Sequence, residues 1–397
     1  MSRVFIIVLD SFGIGEMPDA NLYRDQGSNT LRAITTSPYF ETPNLQRLGL
    51  FNIDGAFHAV EEAGAKTSKV TDPKGAFIRL SELSQGKDTT TGHWEMAGIV
   101  LREKFPTYKK GFPKRIIDAI EKATGRKVLC NKPYSGTEVI KDYGDEQVKT
   151  GGLIVYTSAD SVLQIAAHED VIPVPELYKY CEMARDIMQG DDAVGRIIAR
   201  PFIGTSGNYT RTSNRHDFSL TPPQKTMLDV LKDNGKDVIA VGKINDIFAG
   251  AGITKAIKTI NNDDGMEKTL DLQKEDFDGL CFVNLVDFDM VYGHRNDVDG
   301  YAKAMASFDK QLGIFMRYMR DDDILMITAD HGCDPSTPST DHSREYVPLI
   351  IYGANIMPKN LGTRAGFNYI AGTVLNIFNI NDVRMNKSLY QEVKANV

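Results

Sequence analysis

Several features that mark other protein classes are scarce or missing in this 397-residue sequence. Its four cysteines are widely spaced and include no C-x-x-C pair, which argues against a disulfide framework. No apolar run approaches the length of a membrane span, and the six apolar residues before Asp10 are too few for a secretory signal. A net charge of -7 argues against a broad nucleic-acid surface. We therefore expect a cytoplasmic protein whose partners are neither membranes nor nucleic acids.

Short apolar runs that end on a carboxylate recur along the chain. They precede Asp10, the pair Asp287 and Asp289, and Asp330. Runs of this length, rich in valine and isoleucine, are typical of buried strands in a parallel sheet. Helical periodicity lies between them, as in the apolar stripe over residues 308–319. The alternation predicts an α/β fold with a mostly parallel sheet flanked by helices, in which ligands bind at the carboxyl ends of the strands.

The middle of the chain has a different texture, with its own small set of predicted helices and strands. One amphipathic helix ends at Gly125, and a second begins after Pro173. The chain is also long enough for two domains. We predict a discontinuous catalytic core over residues 1–100 and 222–397, with an inserted, smaller α+β cap domain over residues 101–221.

Histidines are few, and three of the seven lie near carboxylates in the last third of the chain. They form the patterns Asp289-x4-His294 and Asp330-His331, with His342 eleven residues later. Carboxylate oxygens and imidazole nitrogens suit Zn²⁺ or Mn²⁺. Each piece alone is weak, because an Asp-His dipeptide is usually a solvated loop and a single aspartate after a strand is often a helix N-cap. Their combination with Asp10, a third acid at the end of a predicted strand, predicts a metal site.

The segment GKDTTTG from Gly86 is a second point of interest, because it contains a threonine that could act as a nucleophile. A threonine hydroxyl needs a base or a metal to lower its pKa before it can attack. The alternative is an ordinary polar turn leading into a helix, with Asp88 or Thr89 as the N-cap. The segment is not a Walker A loop, because it lacks the G-x4-G-K-[ST] pattern.

With these segments read together, the chain resembles the bacterial-type phosphopentomutases of the alkaline phosphatase superfamily over nearly its full length. The resemblance is carried by FIIVLDSFGIGEMPDA from Phe5, GKDTTTGHWE from Gly86, YTSADSVLQIAAHE from Tyr156, ARPFIG with TRTSNRHD downstream, NLVDFDMVYGHR from Asn284, and TADHGCDPSTPSTDHSREYVP from Thr328.

This resemblance implies an alkaline-phosphatase-like core with two divalent cations, usually Mn²⁺. Three residues would hold each cation: Asp10, Asp330 and His331 for one, and Asp289, His294 and His342 for the other. Thr89 would lie between them as the phosphorylated nucleophile. The implied reaction interconverts α-D-ribose 1-phosphate and D-ribose 5-phosphate, and the 2-deoxyribose pair, through a pentose 1,5-bisphosphate. It links nucleoside catabolism to pentose phosphate metabolism, and a sugar bisphosphate such as glucose 1,6-bisphosphate would prime the threonine.

The resemblance also nominates substrate contacts, partly in the cap. These are Arg196, Arg211 and Lys243 for the non-reacting phosphate, and Ser158 and Asp160 for sugar hydroxyls. Arginine suits this role because its planar fork binds phosphate through two hydrogen bonds. A closed cap would exclude water and so favour transfer to sugar over hydrolysis.

Two positions depart from the family pattern: Cys333 replaces the usual asparagine, and Thr90 replaces the usual methionine. We hypothesise that a thiol at Cys333 alters metal preference or sensitivity to oxidation. The alternative function is a metal-dependent phosphatase of the same superfamily, which would share the ions and nucleophile but lack a sealing cap. A sugar-phosphate binding protein without catalysis would tolerate loss of the metal acids, which are all present here. The oligomeric state is not predicted.

Overall fold

The structure is a computed structural model that describes residues 2–64, 67–158 and 160–395. The chain folds as two compact units. The larger unit comprises the residues up to Glu103 and those from Pro222 onwards, and the smaller unit comprises Lys104–Thr221. The role of the smaller unit as a substrate-binding cap stays a prediction.

The secondary structure alternates between strands and helices for most of the chain. The strands are β1 (Arg3–Leu9), β2 (Ala76–Ser81), β3 (Val128–Pro133), β4 (Leu153–Thr157), β5 (Val162–His168), β6 (Arg196–Ile203), β7 (Thr210–Arg211), β8 (His216–Ser219), β9 (Asp237–Val241), β10 (Lys255–Ile257), β11 (Gly279–Leu285), β12 (Asp323–Thr328), β13 (Val347–Tyr352) and β14 (Lys359–Ala365). The helices are α1 (Thr30–Thr35), α2 (Pro43–Leu48), α3 (Ala56–Glu62), α4 (Thr89–Met96), α5 (Lys114–Thr124), α6 (Glu138–Thr150), α7 (Val174–Ile187), α8 (Met227–Asp233), α9 (Ile244–Ile247), α10 (Asn262–Leu272), α11 (Val298–Arg317), α12 (Tyr369–Ile377) and α13 (Tyr390–Val393).

The larger unit is built on one sheet with the strand order β10-β9-β11-β1-β12-β13-β2-β14. From β10 to β12 every neighbouring pair is parallel, whereas β13 runs antiparallel to both β12 and β2. The three strands β11, β1 and β12 are buried along their whole length. Full burial on both faces is what a near-continuous apolar run requires, because helices must then cover both sides of the sheet. The predicted α/β fold with a mostly parallel sheet is confirmed.

Helix α11 shows how its sequence periodicity produces packing. Phe308, Leu312 and Phe315 recur at helical spacing and are buried, and the helix packs against α1, α2 and α10. The helix ends at Arg317, so Met319, which the predicted stripe includes, lies beyond it. Among the described residues, no helix combines the length and apolar character that crossing a bilayer requires.

The smaller unit has its own sheet, in the order β3-β4-β5-β6-β7, with β8 also paired to β6. Its two faces have separate apolar cores. One core packs side chains from α5 and α7 against the sheet, and the other packs Val139 and Ile140 of α6 against Tyr156 and Phe202. The predicted helix that ends at Gly125 is present as α5.

Candidate metal centre

The carboxyl ends of three neighbouring strands supply the buried acids of the site. Strand β1 lies between β11 and β12 and runs parallel to both. Asp10 follows β1 directly, Asp330 comes two residues after β12, and Asp289 lies in a π-helical turn, Phe288–Tyr292, shortly after β11. All three side chains are buried, with Asp289 only 4% exposed. Parallel strands thus bring three carboxylates to one sheet edge, where their charges repel each other unless cations lie between them.

Asp10, Asp330 and His331 form one compact group of ligand atoms. His331 Nε2 lies 3.5 Å from Asp10 Oδ1 and 3.3 Å from Asp330 Oδ2. One ligand atom from each residue lies within 4.8 Å of the others. The structure therefore brings together the three residues that the resemblance assigns to one ion.

Asp289 is the centre of the second group. His294 Nε2 lies 3.1 Å from Asp289 Oδ2, and His342 Nε2 lies 3.4 Å from Asp289 Oδ1. Asp289 belongs to two groups of three potential ligand residues. In one group it lies with His331 and His342, and in the other it lies with His294 and Cys333. The imidazole rings of His331 and His342 are 4.0 Å apart, so the two ligand clusters adjoin each other.

The electrostatics of the acids reflect this crowding. Burial, followed by the charges of Asp330 and Asp289, raises the pKa of Asp10 well above its ordinary value. Burial also works to raise the pKa of Asp330, but His331 and His93 outweigh it and lower that pKa to about 2. Burial lowers the pKa of His331 to about 4, which leaves its imidazole neutral at pH 7. A neutral imidazole beside carboxylates is the form that binds a divalent cation.

The donor set fits a pair of divalent cations. Asp10 Oδ1 is fully buried and has no hydrogen-bond partner in the described parts of the chain. A buried carboxylate oxygen without a partner is costly, and a cation would offset that cost. Oxygen and imidazole nitrogen donors match Mn²⁺ or Zn²⁺. The donor chemistry supports the use of divalent metal ions.

Thr89 lies at this centre because of the helix that it begins. It is the first residue of α4, and Asp88 caps that helix by accepting a hydrogen bond from the Thr91 backbone N–H at 3.1 Å. Thr89 Oγ1 lies 3.2 Å from His331 Nε2. The local expectation of a turn with Asp88 as N-cap therefore holds, and the same turn places the threonine beside His331.

Helix α4 also contributes a buried histidine that sequence reasoning left without an assigned role. His93 Nδ1 lies 2.8 Å from the Thr89 carbonyl oxygen and 3.2 Å from Asp330 Oδ2, so this nitrogen is the donor. Its Nε2 then accepts from Asn284 Nδ2 at 3.3 Å, and the same amide donates to Asp10 Oδ2 at 2.8 Å. Sequence reasoning missed Asn284, although an amide inside the apolar run of β11 is a signal that could have found it.

Two further residues, Ser11 and Glu345, stabilise the loops around the buried acids by hydrogen bonds, and sequence reasoning did not single them out. Ser11 has a left-handed backbone (φ 71°), and its N–H donates to Asp330 Oδ1 at 3.0 Å. Glu345 accepts hydrogen bonds from the backbone N–H groups of Gly15 and Thr30 and from the Ser343 hydroxyl. Burial raises the pKa of Glu345 to about 7. These contacts tie the first strand–helix unit to the loop that carries His342.

Lys243 is the nominated substrate residue that belongs to the larger unit. It follows β9, which is parallel to β11, and therefore emerges at the same sheet edge as the acids. Its charge acts on Asp10 in the opposite direction to the neighbouring carboxylates and favours the ionised form. The positive charge of Lys243 suits an anionic substrate that binds beside the buried acids.

The other nominated substrate residues lie in the smaller unit. Ser158 and Asp160 are in the turn between β4 and β5, where the Asp160 N–H donates to Ser158 Oγ at 3.3 Å. Arg196 begins β6 and lies 3.4 Å from Asp217. Arg211, in β7, lines a cavity of about 830 Å³.

That cavity is lined by two arginines that the sequence analysis did not nominate. Arg200 and Arg215 line it together with Arg211. Burial, followed by the charge of Arg215, lowers the pKa of Arg200, and Arg200 Nε donates to Gln164 at 3.0 Å. Three arginines around one cavity favour an anionic ligand.

Comparisons with known proteins found a family model, curated relatives and a solved structure that are similar to this chain. A family model of the metalloenzyme superfamily matches residues 2–382. A curated phosphopentomutase of Lachnoclostridium phytofermentans is 61% identical over 393 residues, covering 99% of this chain and 99% of the relative. The phosphopentomutase of Caldanaerobacter subterraneus subsp. tengcongensis is 52% identical, covering 100% of this chain and 99% of the relative. A solved structure of a Pyrococcus horikoshii protein has a TM-score of 0.51 at 15% identity, covering 96% and 98% of the two chains, and supports the fold alone.

Proposed function

Since this chain belongs to the phosphopentomutases of the metalloenzyme superfamily, we propose that Thr89 carries the phosphoryl group that the enzyme transfers. The enzyme is an isomerase that interconverts α-D-ribose 1-phosphate and D-ribose 5-phosphate, and the 2-deoxyribose pair. Its relatives at 52% identity and above are phosphopentomutases, so the alternative of a phosphatase receives no support.

One observation carries the proposal for Thr89. Its hydroxyl oxygen lies 3.2 Å from His331 Nε2, at the point where the two clusters of ligand residues adjoin. Thr89 is 8% exposed, so bulk water has little access to it. A threonine in this position can accept a phosphoryl group, whereas a solvated turn residue would have no activating neighbour.

We propose the following distribution of ligands and ions. Two divalent cations, with Mn²⁺ the proposed ion, would be held by Asp10, Asp330 and His331 on one side and by Asp289, His294 and His342 on the other. When bound, such cations supply Lewis acidity that lowers the pKa of a hydroxyl and neutralises charge on the phosphoryl oxygens.

The chemistry at Thr89 is a balanced exchange. The free hydroxyl oxygen of the pentose phosphate attacks the phosphorus of phospho-Thr89, the bond from that phosphorus to Oγ1 breaks, and the sugar hydroxyl proton ends on Oγ1. The product is a pentose 1,5-bisphosphate. Reversal with its other phosphate restores phospho-Thr89 and releases the isomeric monophosphate. Glucose 1,6-bisphosphate or a similar sugar bisphosphate would phosphorylate the threonine before the first turnover.

The charged side chains of the smaller unit support its proposed role in substrate binding. Arg196 and Arg211 would bind the phosphate that does not react, with Lys243 of the larger unit, while Ser158 and Asp160 would bind sugar hydroxyls. Guanidinium groups favour this because they bind phosphate through paired hydrogen bonds. A cytoplasmic location is also proposed, and it is consistent with four cysteines that are all unpaired.

Intact-mass spectrometry after incubation with glucose 1,6-bisphosphate tests the acceptor. We expect one added phosphoryl group on the wild type and on Thr90→Val, a matched change of the adjacent threonine, and none on Thr89→Val. A phosphoryl group that still appears on Thr89→Val would reject Thr89. Isomerised pentose phosphate without stoichiometric release of inorganic phosphate would separate mutase from phosphatase activity in the same samples.

A further inference from the structure

The thiol of Cys333 lies against the residues of the second ligand cluster. The residue is 1% exposed, and a Cβ built on Gly293 would lie 3.0 Å from its Sγ, so the thiol packs on the backbone that leads directly into His294. On its other side, Sγ–H donates to the Asp341 carbonyl oxygen at 3.6 Å, next to His342. The thiol therefore lies between the two loops that carry histidine ligands.

The Cys333 thiol is close enough to Asp289 and His294 for the three residues to bind one metal ion. One ligand atom each from Asp289, His294 and Cys333 lies within 4.8 Å of the other two. Metal–oxygen and metal–nitrogen bonds of about 2.1 Å and a metal–sulfur bond of about 2.3 Å place the ligand atoms about 3–4 Å from one another, and separations within 4.8 Å are compatible with that spacing.

A second observation points to a ligand at the same place. Asp289 Oδ1 is buried and accepts no hydrogen bond in the described residues, although His342 Nε2 stands 3.4 Å away. Asp289 Oδ2 already faces His294 at 3.1 Å. Asp289 belongs both to the group with His294 and Cys333 and to the group with His331 and His342. A cation bound by this buried carboxylate would therefore have the thiol within reach, and a carboxylate, an imidazole and a thiol together suit a thiophilic or borderline cation.

We propose that Cys333 is a protein ligand for a thiophilic divalent cation, such as Co²⁺, Zn²⁺ or Cd²⁺, bound with Asp289 and His294. This inference rests on the proposed metal centre and deepens it. On binding, a sulfur–metal bond forms, the S–H bond breaks, and the proton passes to solvent. Mn²⁺, a harder ion, would use the oxygen and nitrogen donors alone. Metal preference at this position thus depends on a residue that the family pattern does not count as a ligand.

Cobalt spectroscopy tests the proposal without relying on activity. Metal-free protein is titrated with Co²⁺, and two features are followed: the visible bands that report bound cobalt, and the near-ultraviolet charge-transfer band that reports a cobalt–thiolate bond. We expect both features in the wild type. Cys333→Asn, which introduces the usual family residue, should keep the visible bands and lose the charge-transfer band.

Cys181→Ala is the matched control, because Cys181 is equally buried but lies in α7 of the smaller unit. It should behave as the wild type. Cys333→Asn should also weaken Cd²⁺ binding by about tenfold or more while Mn²⁺ affinity changes little. Visible bands without a charge-transfer band in the wild type would overturn the inference, as would a charge-transfer band that persists in Cys333→Asn. A protein that binds no cobalt would overturn the proposed metal centre itself, and the inference with it.

Discussion

Asn284 illustrates how one side chain sets the orientation of Asp10, a proposed metal ligand. Its amide donates to Asp10 Oδ2 at 2.8 Å from within a fully buried strand. That bond leaves the other oxygen, Oδ1, directed towards His331 at 3.5 Å. Hydrogen bonds of this kind fix the geometry of a metal ligand, and their loss typically weakens metal affinity by about 10–100-fold.

We therefore predict that Asn284→Ala weakens Mn²⁺ binding by about 10–100-fold, measured by isothermal titration calorimetry. Without the amide, Asp10 can rotate and its Oδ2 loses a buried donor. Asn44→Ala is the control, since Asn44 Nδ2 makes a similar bond to Asp309 Oδ2 at 2.9 Å and neither residue is a proposed ligand. Equal Mn²⁺ affinity in Asn284→Ala and the control would show that Asn284 does not position Asp10.

Helix α4 shows how an element positions Thr89, the proposed nucleophile. Nearly all of this short helix is buried, including Glu95, whose carboxylate accepts from the backbone N–H groups of Leu83, Ser84 and Phe367. At its N-terminal end, Gly92 packs directly on the loop of Asp330. A Cβ built on Gly92 would overlap the Asp330 carbonyl oxygen and lie 2.9 Å from the Asp330 Cβ. Only glycine at this position lets the helix approach Asp330 this closely.

Gly92→Ala should consequently separate the helix from Asp330. We expect a loss of about 1–3 kcal/mol in the free energy of unfolding, measured with urea, because overpacking against backbone cannot relax easily. Phosphorylation of Thr89 by glucose 1,6-bisphosphate should fall in the same variant. Gly195→Ala is the control, because its nearest neighbour would be 3.5 Å away. If Gly92→Ala and Gly195→Ala have the same free energy of unfolding and the same extent of Thr89 phosphorylation, the close approach of α4 to Asp330 is not required to position Thr89.

At the scale of the whole molecule, the proposed metal ligands all belong to one of the two compact units. Asp10, Asp289, Asp330, His294, His331 and His342 lie in the larger unit, while Lys104–Thr221 form the smaller one with its own apolar cores. A ligand that binds only the folded state stabilises the unit that holds it. Binding of metal should thus have unequal effects on the two units.

Hydrogen exchange followed by mass spectrometry can measure this inequality. On addition of Mn²⁺ to metal-free enzyme, we expect slower exchange in peptides from β1, β11 and β12, and little change in peptides from α5 and α7. The physical reason is that the cations offset the repulsion among buried carboxylates of the larger unit. Equal slowing throughout residues 104–221 would contradict the prediction and indicate that metal binding orders both units together.

Much of this protein was predictable from sequence because its signals are local. Asp10 and Asp330 follow apolar strand runs, and parallel strands place their carboxyl ends at one edge, so the meeting of these acids follows from hydrophobic pattern alone. Thr89 is different. Its segment is also a normal capped helix start, and only the family resemblance singled it out.

Contacts between distant loops were decided by the tertiary structure. Asn284 is an amide within an apolar strand, which marks it as unusual, but no neighbouring residue indicates that its partner is Asp10, 274 positions away. Likewise, Cys333 joins Asp289 and His294 only because the loop after β12 folds back on the turn after β11. Hydrophobic periodicity determines which elements form, since it acts over neighbouring residues. Which polar atoms then share a buried space depends on packing across the whole larger unit, and no local pattern encodes it.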